Sequence, residues 1–191
     1  HRLGTNDFAL QAQHSNNLGN AFLVERMQYY LSKVSVIHDG NQVTAIPDLY
    51  VLVDASDPQV IDLGTLNITM VEGIKFHVGV NSPENNQDPA QWPSDHALSP
   101  KLPSMHWGWA SGYFFVAMSG QGGASLNNTF ELHGLGNENY FEQTLATASQ
   151  TEGNDQVITI IADYGRALED IDVASGVVSH GATGEAAGII A

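Results

Sequence analysis

Eight histidines and no cysteine set the chemistry open to this chain. Without a thiol there is no disulfide framework, thiolate metal site or cysteine nucleophile, so soft-metal ligation falls to imidazole, thioether or backbone. Two histidines stand out by their neighbours. In GIKFHVGV, Ile74, Phe76, Val78 and Val80 share one face of an extended strand, and Lys75, His77 and Gly79 take the other. In NTFELHG, Phe130 and Leu132 point one way, Glu131 and His133 the other. An imidazole on the polar side of an alternating strand is not there to fill the core. If those strands are neighbours, His77 and His133 converge on one cation. Imidazole suits copper, zinc, iron and nickel, and a pair of imidazoles suits Cu(I) at low coordination. The plainer reading is two unrelated hydrogen-bonded or surface histidines.

His106, between Met105 and Trp107, is the third candidate ligand, and Met105 reads as core filling. His38 falls in a turn, His96 in a long loop, and His14 and His180 near the ends; all four read as solvated, with His96 beside Asp95 as a distal ligand at most. Asn81, Glu84, Asn85, Asn86, Asp88 and Asp95 offer hard oxygens to Ca²⁺, but at no EF-hand spacing, so a solvated loop is the simpler account. No nucleophile elbow, zinc-protease, Walker or dinucleotide motif occurs, and the chain is not expected to be an enzyme. A metallo-oxidase or hydrolase built on His77, His106 and His133 would need an open coordination position.

The elements that must position these groups read as strands. The run from Phe22 begins ambiguously and turns strand-like by Leu31 to Ile37, and His-Asp-Gly at 38–40 makes a turn. Leu49 to Asp54 and residues 73–80 follow as strands. A Pro- and Asn-rich loop fills 81–100, long enough to suggest a task of its own. Met105, Trp107 and Trp109 alternate with His106 and Gly108, which predicts a strand at the hydrophobic centre of the domain. Residues 113–120 and 127–136 give two more strands, and VITIIA at 157–162 another. Tyr164 to Asp172 reads as a short helix or turn, and Ala186-Ala187 can begin a helix. The expectation is mainly β: one antiparallel β-sandwich domain over 1–191, with long loops and little helix.

Six Lys and Arg against 21 Asp and Glu give a net charge of −15. That field repels nucleic-acid phosphates and anionic headgroups and draws in cations. No apolar run is long enough to span a membrane. The composition and the first residue, His1, fit a secreted or periplasmic chain whose signal peptide is already removed.

The order of motifs carries a further signal. Tyr29-Tyr30-Leu31-Ser32, Tyr50-x-Leu52-Val53-Asp54, Phe76-x-Val78-Gly79-Val80, Ala97-Leu98-Ser99-Pro100 with Met105-x-Trp107-x-Trp109 and Gly112-Tyr113, and Phe130-x-x-His133-x-x-Gly136 follow one another. This order resembles the MbnP-like family, which includes the MopE/CorA-type copper-binding proteins of methanotrophs. The resemblance implies a β-rich secreted or surface protein that captures or buffers copper for uptake, served by a copper transporter or an oxidising partner enzyme. In copper-binding members it implies a mononuclear Cu(I) site of two His and a Trp oxidised to kynurenine, two residues before one of the His. Carried over, His77 and His133 are the imidazoles, and position 75 is Lys. The contrasting reading is a metal-free binding or adhesion module that uses the 81–100 loop and exposed aromatics.

Overall fold

A computed structural model describes residues 1–190. Three two-residue strands, β1 (Arg2–Leu3), β2 (Asn6–Asp7) and β3 (His14–Ser15), precede β4 (Ala21–His38), the longest element. β5 (Gln42–Ala45), β6 (Tyr50–Asp54) and β7 (Val71–Val78) follow. After a long segment over 79–115 come β8 (Val116–Gly122), β9 (Asn128–Gly134) and β10 (Glu142–Ala146). The small hairpin of β11 (Gln150–Glu152) and β12 (Asp155–Val157) leads on to β13 (Val177–Gly181) and one short helix, α1 (Gly184–Gly188).

The fold is mainly β, as the alternating patterns require. One nine-stranded sheet runs β10-β7-β4-β8-β9-β13, with β3, β5 and β6 also paired to β4. β4 serves two packing zones. Its first half pairs with β8, and its second half with β7 and β5. Between them the register to β7 shifts from Ser32 to Ser35 across Lys33, whose φ is +52°. That bulge bends the strand. Phe22, Val24, Met27 and Tyr30 thereby enter the large core with Phe115, Met118, Phe130, Leu132 and Leu168, while Val34 enters a smaller cluster with Ile74 and Phe76. Phe22, Phe115 and Phe130 are fully buried, and each burial stabilises the fold by roughly 1.5–3 kcal/mol.

Among the described residues all strand pairs are antiparallel except one: β13 lies parallel to β9 at the sheet edge. A parallel neighbour needs a long crossover, and residues 135–176 supply it.

The 79–115 segment is packed against the sheet. Two 3₁₀ turns, Glu84–Asn86 and Pro89–Gln91, break it up. Buried Asn85 accepts a hydrogen bond from the Tyr113 N–H at 2.9 Å, and the Tyr113 hydroxyl donates to Leu98 O at 2.6 Å. Tyr30, edge-on to Tyr113, donates to Ala97 O. These bonds satisfy polar groups that would otherwise be stranded under the loop.

The Trp stretch departs from expectation. Met105 is core, but Trp107 is 49% and Trp109 68% exposed, and residues 105–113 form a turn with a lone bridge between His106 and Tyr113. The cause is the pair Gly108 and Gly112, at φ +99° and +78°, with the Gly112 N–H donating to Gly108 O. Alternation assumes extended backbone, and these glycines curl it. The strand expected at 157–162 likewise ends at Val157, where β12 stops.

Candidate metal centre

β9 carries Glu131 and His133 on one face, two residues apart. The parallel register of β13 sets His180 directly against His133 and Val178 against Glu131. On the other flank, β8 presents Ala117 to His133 and Ser119 to Glu131, both too small to fill the space over the ladder. The two imidazoles stack with centroids 4.5 Å apart and planes 16° from parallel. Phe114 packs on His133 at 4.3 Å, and Trp107 meets His180 edge-on at 4.9 Å. The exposed Trp of the curled turn is thus one wall of this centre.

The donor atoms of Glu131, His133 and His180 all lie within 4.8 Å of one another. Glu131 Oε1 is 2.8 Å from His180 Nε2 and 3.8 Å from His133 Nδ1. Buried His180 Nε2, in ion-pair contact with the carboxylate, nevertheless makes no hydrogen bond. A buried nitrogen beside a carboxylate, with no hydrogen bond made, is an arrangement that a cation bound between them would satisfy. Two imidazoles and one carboxylate are ligands that zinc, copper, iron and nickel all accept.

His133 is 8% exposed. Burial, then the neighbouring His180, pushes its imidazole down to about 4, against the opposing pull of Glu131. It therefore stays neutral, with a lone pair free, through the ordinary pH range. The consequence for stability has a definite sign. The unfolded chain protonates this residue near 6.5 and the folded chain near 4, so unfolding takes up a proton between those values. Its contribution is complete above about pH 6.5 and is lost as pH falls toward 4, by roughly 3 kcal/mol. Urea unfolding of the metal-free protein at pH 7.5 and 4.5 should show this loss, and His133→Asn should remove that part of it.

The other candidates sit elsewhere. His77 lies on β7, so β4 and β8 intervene between its strand and that of His133. Its ring stacks on Tyr140 at 4.4 Å, and Lys75, two residues before it, is ion-paired with Glu142. His106 packs edge-on against Tyr113. It lines a cavity of about 200 Å³ with Asp88 and Lys101, separate from the stacked pair. The structure joins His133 to His180 and Glu131, not to His77 or His106. Alternation alone puts Glu131 on the same face as His133, whereas the position of His180 near the end reads as solvated. The available signal was its place behind the β-branched pair Val177-Val178 and before Gly181.

Among known proteins, the sequence matches the MbnP family over residues 1–182. The chain belongs to the MbnP family. The solved structure of MbnP from Methylosinus trichosporium shares the fold, with a TM-score of 0.51 at 14% identity, over 74% of this chain and 67% of that one. No protein with a curated description matches. In this MbnP-family chain, none of the described helices is long and apolar enough to cross a membrane.

Proposed function

We propose that this protein is a copper-binding protein of the periplasm or cell surface that captures or buffers a single Cu(I) at His133, His180 and Glu131 and carries out no turnover. The observation that carries the reading is the buried His180 Nε2, held 2.8 Å from Glu131 Oε1 without a hydrogen bond and beside the stacked His133 ring. Membership of the MbnP family supports it. The net charge of −15 concentrates cations around the molecule. Two residues before His133 stands Glu131, on the same face of the strand. The third donor here is therefore a carboxylate.

Trp92, the one Trp of the 81–100 segment, is half-buried against the core and has one face covered by His96 at 4.4 Å. That favours the metal reading over adhesion by this loop. The deciding experiment is an anaerobic Cu(I) titration followed by native mass spectrometry and by the histidine ring signals in NMR. One equivalent should be retained, and the signals of His133 and His180 should shift. Failure to retain copper, or shifts confined to other histidines, overturns the reading.

A further inference from the structure

A carboxylate among the ligands would ordinarily draw a site toward divalent, harder ions. The surroundings of Glu131 oppose that. Across the sheet, Glu131 on β9 pairs with Ser119 on β8, and Ser119 pairs with Arg26 on β4, so glutamate and arginine face one another over a short serine. The carboxylate acting most strongly on the half-buried guanidinium is Glu131, with Asp54 next. The guanidinium is held by neutral groups: Nε donates to Gln28 Oε1 at 2.8 Å, and Nη2 to Ser104 O at 2.9 Å, with Met105 Sδ 3.0 Å away. Asp54, the other acid in reach, is occupied by Gln28 and Ser56. Among the described residues no carboxylate lies in ion-pair contact with Arg26, so its charge is fixed in place without being cancelled by contact.

We propose that Arg26 is a specificity-determining residue that biases the centre toward a monovalent over a divalent cation. Glu131, at contact distance, attracts an ion of either charge; what Arg26 adds from two strands away is a repulsion that grows with the charge of the ion. Repulsion by Arg26 acts once on a monovalent ion and twice on a divalent one. Two sheet spacings separate the backbones, about 10 Å. At that range near a surface, each additional unit of ion charge costs about tenfold in affinity. The same guanidinium fixes the 104–105 backbone that leads to Trp107, so charge and positioning must be separated by the test.

The inference rests on the metal site proposed above. The test uses Ag(I) as a redox-inert monovalent probe and Zn(II) as a divalent one, each measured by competition with a chelator of known affinity on the wild-type chain, Arg26→Gln and Arg26→Lys. The expected result is that Arg26→Gln raises Zn(II) affinity about tenfold relative to Ag(I), while Arg26→Lys, which keeps the charge, retains the wild-type ratio. Should the amide variant fail to fold, Arg26→Met keeps an aliphatic stem against Met105 and answers the same question. An unchanged ratio in the neutral variants, or a lysine variant that behaves like glutamine, overturns the role of Arg26 while leaving the site intact. Binding of neither ion by the wild type, or binding unaffected by His180→Ala, overturns the site and this inference with it.

Discussion

His133→Ala is expected to lower Cu(I) affinity by more than a hundredfold, and His77→Ala to leave it unchanged. The first substitution removes one of two imidazoles whose stacked rings and shared carboxylate form the candidate centre. Even the loss of a group that merely orients a metal ligand costs about 10- to 100-fold, so loss of a ligand itself exceeds that range. His180→Ala should match it, because the two residues are direct partners in the β9–β13 register. His77 serves as the control on both chemical and structural grounds. It carries the same side chain on the polar side of an alternating strand, but its ring is engaged by Tyr140, and two strands stand between it and β9. Competition against a Cu(I) chelator under anaerobic conditions reads the difference. Copper retained by His133→Ala, or lost from His77→Ala, would move the centre elsewhere.

A large stability effect is expected at Gly79. Its φ is +113°, a region that side chains rarely adopt, and a Cβ there would fall on the ring of fully buried Phe115. The backbone has little freedom to retreat. Gly79 N donates to Tyr30 O at 2.8 Å, and Gly79 O accepts from the Ser32 hydroxyl at 2.7 Å, which fixes the peptide on both sides against β4. Conformational strain and overpacking therefore add, and Gly79→Ala should cost about 3 kcal/mol or more. Gly188→Ala makes the control: no neighbour meets its Cβ, and it lies in α1. Urea midpoints should fall sharply for the first and stay level or rise for the second. Displacement of Phe115 would also reach its chain neighbour Phe114, which packs on His133.

The sequence announced most of the sheet because alternation is a local property. Leu31 to Ile37, Ile74 to Val78 and Phe130 to His133 each show their inward face in a handful of residues, and each is a strand. Strand order is not local. That His77 and His133 are on polar faces can be read from their neighbours; that β4 and β8 lie between them cannot. His180 was hidden for a related reason. β13 is five residues long, it has no clean alternation, and its partner is a parallel strand far back in the chain. The Trp turn failed through a backbone effect, since two glycines at positive φ curl a pattern that otherwise reads as extended. Arg26 and Glu131 lie on strands whose pairing runs through β8, so their opposition exists in the ladder alone.

The edge position of β13 bears on when the protein becomes able to hold an ion. His133 and His180 meet through the last strand to be synthesised among those described, and that strand docks on a neighbour rather than on its own hairpin. Until that strand docks, the two imidazoles are apart and the candidate centre is incomplete. Once β13 has zipped into place, an ion held between the two histidines would act as a clasp across that seam.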